Sequence, residues 1–193
     1  SLTNLNLSYN ELTAVPTSSM AALSHLTTID LSGNKINSVQ GTSFTGPLSL
    51  ETLNLSSNSI TTVAASAFNV FENLSTLYLS YNSLSGISPD AFSGLSKLQY
   101  LYLNSTNIET LDSTLFSSLT MLKSLNISNS GITSLLANIF SSNTALETLN
   151  ISSNQITSFP SPALQIPSLK RLEMGYLSLS SIPDGAFLGI PNL

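Results

Sequence analysis

The run Leu2-Thr3-Asn4-Leu5-Asn6-Leu7-Ser8-Tyr9-Asn10-Glu11-Leu12 decides the fold, because its phrase L-x-x-L-x-L-x-x-N-x-L returns along the whole chain. Taking each first leucine as a start gives Leu2, Leu26, Leu50, Leu74, Leu98, Leu122, Leu146 and Leu169. The step is 24 residues six times and 23 once, and Leu193 falls where a ninth unit would begin. Self-similarity at a fixed period of this size signals units that bury their apolar faces only by stacking on one another. Eight units occupy essentially all 193 residues, so the chain reads as a single repeat domain spanning 1–193.

Each column of the repeat has a physical meaning. The L-x-L centre alternates with period two, which makes a short strand with every second residue inward. Leu5, Ile29, Leu53, Leu77, Leu101, Leu125, Leu149 and Leu172 stack in one column. Leu7, Leu31, Leu55, Leu79, Leu103, Ile127, Ile151 and Met174 stack in the next. Further inward columns run from Leu12 to Leu179 and from Val15 through Val39, Val63 and Ile87 to Ile182. An asparagine column, Asn10, Asn34, Asn58, Asn82 and Asn154, supplies amides to backbone groups left inward where the chain leaves the strand. Thr106 and Ser130 do part of that work, and Leu177 none, so the last coil is expected to turn differently. The other half of each unit carries an aromatic at fixed offset: Phe44, Phe68, Phe92, Phe116, Phe140 and Phe187, with Met20 and Leu164 as stand-ins. About a dozen residues separate the strands, too few for a long helix and two loops. The expected fold is therefore an α/β solenoid: a right-handed arc of eight coils with a parallel concave sheet and a mostly irregular or 3₁₀ convex side.

Composition narrows the function. Charged residues are 8% of the chain against about 25% in ordinary domains, and the formal charge is −5. Such a surface gives no electrostatic grip on nucleic acid or an anionic membrane, and no apolar run approaches the length of a bilayer span. With no cysteine there is no disulfide framework, thiolate metal site or cysteine nucleophile. The single histidine, His25, cannot build a histidine metal cluster or a hydrolase triad with a second one. Asp30 and Glu51, the nearest concave carboxylates, sit at different offsets and form no catalytic pair. The reading is non-enzymatic, with no cofactor and no metal.

The columns, the 24-residue length and the A-F-x-x-L element (Ala91-Phe92-Ser93-Gly94-Leu95; Ala67-Phe68-Asn69-Val70-Phe71) resemble the leucine-rich repeat family. They are similar to its "typical" subclass, found in Toll-like receptors, Slit-type guidance proteins, jawless-fish lymphocyte receptors and repeat-only adhesion proteins. The resemblance implies an extracellular or cell-surface receptor ectodomain or secreted binder that recognises a protein or glycan on its concave face. Members of that subclass close their ends with cysteine-rich caps, which this sequence lacks. The expectation is a segment of a longer protein, or self-association through uncapped ends. A structural or adhesive module that stacks end to end is the alternative function.

Tyrosine marks the concave face. All eight Phe fall at inward or convex-core positions, whereas all six Tyr fall at positions facing out of the sheet. Tyr78, Tyr81, Tyr100 and Tyr102 cluster on adjacent repeats four and five and form the candidate partner-binding patch, with Tyr9 and Tyr176 on the outer repeats. Tyrosine offers rigid area with a polar tip, although it also simply suits an exposed strand. Lys123, Glu147 and Lys170 share one offset and are expected to form a charge ladder worth about 0–1 kcal/mol per pair. Six N-x-[S/T] sequons, at Asn6, Asn54, Asn73, Asn104, Asn126 and Asn150, are glycan acceptors in a secreted eukaryotic protein. Four of these lie mid-strand, where L-N-L-S is simply how the repeat spells itself. Asn73, at a loop, is the better acceptor.

Overall fold

The computed structural model describes residues 2–20, 22–44, 49–160 and 163–193. Among the described residues, eleven strands form two sheets. In chain order they are β1 (Asn4–Asn6), β2 (Thr28–Asp30), β3 (Ser38–Val39), β4 (Thr52–Asn54), β5 (Thr62–Val63), β6 (Thr76–Tyr78), β7 (Gly86–Ile87), β8 (Tyr100–Tyr102), β9 (Ser124–Asn126), β10 (Thr148–Asn150) and β11 (Arg171–Glu173). The main sheet is parallel throughout, in the order β1-β2-β4-β6-β8-β9-β10-β11, one strand from each repeat. Register follows the sequence columns, so that Leu53 pairs with Leu77, Leu77 with Leu101 and Leu101 with Leu125.

The inward columns make one continuous core. Ile29, Leu53, Leu77, Leu101, Leu125 and Leu149 are fully buried, as are Leu31, Leu55, Leu79 and Leu103. Each buried leucine contributes about 1.5–3 kcal/mol relative to exposure. Burial falls off in the outermost coils, where Leu5, Leu7, Leu172 and Met174 are half-buried. The inward column fails at its last member: Ile182 is 51% exposed.

The phenylalanines form the expected spine. Ring centroids from Phe44 through Phe68, Phe92 and Phe116 to Phe140 are spaced 6.0, 6.3, 6.5 and 5.8 Å. Phe71 closes edge-on against Phe44 at 4.9 Å, and Met20 and Leu164 are buried. Phe187 departs from the spine. It is 40% exposed and meets Phe159 edge-on at 5.6 Å. The convex segments are successive i→i+3 turns, such as Phe71 N to Phe68 O, Leu95 N to Phe92 O and Leu119 N to Phe116 O. Helix is confined, among the described residues, to the single turn α1 (Thr17–Met20), so the α half of the expected α/β class is nearly empty.

Two regularities go beyond the sequence columns. The segments of repeats two to four that carry Val39, Val63 and Ile87 pair as a second, three-stranded parallel sheet, β3-β5-β7. The residue before each asparagine-column position has positive φ in every repeat: Tyr9, Gly33, Ser57, Tyr81, Ser105, Asn129, Ser153 and Tyr176, at 52–66°. This left-handed residue ends each strand and turns the chain inward. Tyr176 adopts it too, so the last coil turns like the others despite Leu177, correcting the sequence expectation. At position 33 a Cβ would stand 2.7 Å from the ring of Tyr9, so a side chain there would have to push that exposed ring aside.

The asparagine column works as a ladder. Asn82 donates through Nδ2 to Leu55 O, Leu79 O and Ser80 O and accepts from Ile60 N. Asn58 and Asn34 repeat this set one and two coils earlier. Asn154 accepts from both Ser130 N and Ile132 N. Ser130 reaches Leu103 O with its hydroxyl, while Thr106 bonds Leu103 O in its own coil and Ser130 Oγ in the next.

Candidate recognition surface

The concave sheet exposes its side chains in rows, and one of these rows is held by local bonding. Asn6, Asp30, Asn54, Asn126 and Asn150 each accept the backbone N–H of the serine two residues on, at 2.9–3.1 Å. Short Asx side chains commonly fold back on the backbone in this way. The L-N-L-S spelling therefore has a structural cause in four of the six sequons.

Repeats four and five break that row. Tyr78 and Tyr102 occupy the Asx positions, and sheet register sets them side by side. Their rings stack face to face, with centroids 4.7 Å apart and planes 4° from parallel. Ser80, released from an Asx partner, is buried and donates to Asn104 Oδ1 across the coils at 2.7 Å. Tyr100 lies on the same face two residues before Tyr102 and is exposed. Burial, then the neighbouring phenols of Tyr78 and Tyr100, push the Tyr102 phenol above its ordinary value of 10.0. The Tyr102 phenol therefore stays protonated across the physiological range and presents a hydroxyl. No Asp, Glu, Lys or Arg stands among residues 75–81 or 99–105.

The remaining tyrosines belong to the turn row. Tyr81 sits at positive φ and is 61% exposed at the rim of the same patch, where its N–H bonds Asn104 O. Tyr9 and Tyr176, 84% and 89% exposed, lie on the first and last repeats. The structure therefore brings Tyr78, Tyr81, Tyr100 and Tyr102 together and leaves Tyr9 and Tyr176 apart. The positive φ shared by Tyr9, Tyr81 and Tyr176 had no signal in the sequence, because the row also holds Gly, Ser and Asn.

Only half of the expected charge ladder forms. Lys170 pairs with Glu147 at 2.9 Å, whereas Lys123 makes no ion pair among the described residues. Arg171 instead binds Glu173 in its own strand at 2.6 Å, and Asn150 donates to the other oxygen of Glu173. His25 is exposed, with Nδ1 3.2 Å from Ser24 Oγ. Asp30 is engaged by Ser32 and does not pair with Glu51. Asn73 is exposed and accepts from Lys97 Nζ at 2.8 Å. No group of His, Asp and Glu among the described residues is arranged to hold a metal ion. Asn143 was missed from sequence: it replaces the leucine of the A-F-x-x-L element, is fully buried and donates to Phe116 O and Leu119 O.

Comparison with known proteins agrees with this architecture. Solved structures similar to the chain include TLR13 in its complex with ssRNA13, at 27% identity and TM-score 0.82 over 100% of this chain. Human 5T4 (Wnt-activated inhibitory factor 1, trophoblast glycoprotein) matches at 24% identity and TM-score 0.82 over 97%. The Leptospira interrogans leucine-rich repeat protein LIC12759 matches at 30% identity and TM-score 0.83 over 100%. The chain spans 32% of TLR13, 73% of 5T4 and 47% of LIC12759. A search of curated proteins returns no significant match. The leucine rich repeat profile matches residues 1–60, 48–108, 101–156 and 120–176. With that profile running through the strand, turn and asparagine columns described above, the chain belongs to the leucine-rich repeat family.

Proposed function

We propose that this chain is a non-catalytic recognition module that binds a protein partner through the concave surface of repeats four and five. Leucine-rich repeat proteins are generally binding modules, and this fold is widely used for protein recognition. One observation carries the choice of surface. The Asx row, self-bonded in repeats one to three, six and seven, is interrupted by a stacked, uncharged tyrosine pair flanked by Tyr81, Tyr100 and Asn104. Clustered tyrosines with neutral polar neighbours supply rigid contact area at low entropy cost. The setting that fits such a module is a receptor ectodomain or secreted binder at the cell surface, with Asn73 as its glycan acceptor. Among the described residues no helix is long and apolar enough to cross a membrane.

TLR13 holds a single-stranded RNA in the structure that this chain resembles. The charge here opposes that use. The chain has five cationic side chains and a net charge of −5, and Lys35, Lys170 and Arg171 are already paired with carboxylates. The test is a binding screen of the intact chain against arrayed ectodomains, arrayed glycans and a single-stranded RNA oligonucleotide. It is run beside a variant carrying Tyr78→Ala, Tyr81→Ala, Tyr100→Ala and Tyr102→Ala. The expected result is a protein ligand whose affinity falls at least roughly tenfold in the variant, with little change in melting temperature. Ligands bound equally by both proteins, or binding confined to glycan or RNA, would overturn the reading.

A further inference from the structure

The joint between the fourth and fifth coils is built unlike the other six. At each of those, the segment descending from the sheet gives a backbone N–H to its neighbour: Lys35 to Leu12 O, Ser59 to Ile36 O, Ser85 to Thr61 O, Thr133 to Glu109 O, Gln155 to Ile132 O and Ser178 to Ile156 O. Residues 82–88 of coil four and 106–112 of coil five are all described, and no hydrogen bond links them. The asparagine ladder is interrupted at the same place, as it also is at Ile108 and Ile156, where the descending backbone bond is nevertheless kept. Leu12, Ile36 and Ile60 donate their N–H to Asn34, Asn58 and Asn82 of the next coil. The equivalent Leu84 N–H has no acceptor among the described residues. Thr106 spends its hydroxyl on Leu103 and Ser130 rather than on coil four.

Three further features coincide there. The second sheet ends at β7, in coil four. The Phe92–Phe116 spacing of 6.5 Å is the widest in the spine. Glu109, just beyond the joint, is held at a φ of 58° without the chemistry that eases that conformation. On the concave side the same joint carries an extra fastening instead: the Tyr78–Tyr102 stack and the Ser80–Asn104 hydrogen bond.

We propose that this joint is a hinge. Coils one to four and five to eight flex against each other by opening behind the sheet, and the tyrosine stack with Ser80–Asn104 is the clasp on the concave side. Behind the sheet this joint keeps the bond from Ser118 Oγ to Phe92 O at 2.9 Å but lacks the descending backbone link of the other joints. A solenoid's stability is a sum of neighbour interfaces, and one with fewer hydrogen bonds opens at lower cost. A partner laid across Tyr78 and Tyr102 then fixes the angle between the two halves. That coupling rests on the recognition reading, but the hinge itself does not.

Amide exchange followed by NMR on the whole, unliganded chain tests the hinge without any ligand, so a failed binding screen leaves it standing. Leu84 N–H is expected to exchange at least roughly tenfold faster than Ile36 and Ile60, the size of effect one buried hydrogen bond produces. Thr106→Asn should slow Leu84 to the rate of Ile60 and raise the melting temperature, by restoring the amide link. Ser80→Ala, which leaves every tyrosine in place, should speed exchange at Leu84 and Leu79 by severing the clasp. Equal protection of Leu84 and Ile60 in the natural sequence overturns the hinge, whether or not the Thr106 variant folds. Unchanged exchange in Ser80→Ala overturns the clasp.

Discussion

Two aromatic stacks run along this solenoid at the pitch of its coils, one behind the sheet and one in front. Behind, five phenylalanines from Phe44 to Phe140 are packed at 5.8–6.5 Å with almost no exposure. In front, Tyr78 and Tyr102 stand closer, at 4.7 Å, yet stay half-exposed, with Tyr81 and Tyr100 open to solvent beside them. The repeat sets the spacing of both, and what differs is the medium each faces. Phe rings fill a dry wedge that the irregular convex turns leave behind, so their removal opens a cavity. The tyrosines add contact to a sheet already held by its own ladder, so their removal mainly uncovers a surface.

Substitutions can break or sharpen that contrast. Phe92→Ala, in mid-spine, should destabilise by about 3–5 kcal/mol in denaturant unfolding, because the truncated ring leaves a cavity that coils four and five cannot close. A cost below about 1 kcal/mol would mean that the wedge collapses and the spine is ornamental. Asn82→Leu should cost about 1–3 kcal/mol, since Leu55 O, Leu79 O and Ile60 N are buried groups that lose their partner. Tyr102→Ala should cost no more than about 1 kcal/mol, the range of a cross-strand pair, while weakening partner binding the most of any single concave change.

The titration of Tyr102 gives a finer test. Its folded-state pKa is raised above 10.0, so the stability it brings is complete below that value and is lost as pH climbs through the folded value. Tyr78→Phe removes one neighbouring phenolate, and phenolate absorbance should then show Tyr102 ionising earlier, by less than the contribution of burial. Smallest of all, Glu147→Gln should change stability by about 0–1 kcal/mol, because both partners of its ion pair with Lys170 are well exposed.

The core was legible because each inward leucine is forced by the same period, and Leu53, Leu77 and Leu101 stack as their columns require. The asparagine ladder was legible because its chemistry is visible in the residue type. The left-handed row was not, since Tyr9, Gly33, Ser57 and Asn129 share a backbone angle and no side-chain property. The second sheet lay hidden in two-residue strands too short to show alternation. Phe187 and Ile182 carried the correct letters in the last unit and still lie exposed. In the patch, sequence placed the four tyrosines on neighbouring repeats. It could not show that Ser80 turns inward to Asn104 once Tyr78 displaces the Asx side chain.

The row at positive φ also limits how this surface can diversify. A residue there is chosen by its backbone before its side chain is consulted, and β-branched residues resist that conformation most. Libraries that vary Tyr78, Tyr100 and Tyr102 can sample freely. Those that place valine, isoleucine or threonine at Tyr81, Ser105 or Asn129 would forfeit the coil before reaching any ligand, so new specificities have two free rows and one tethered row to draw on.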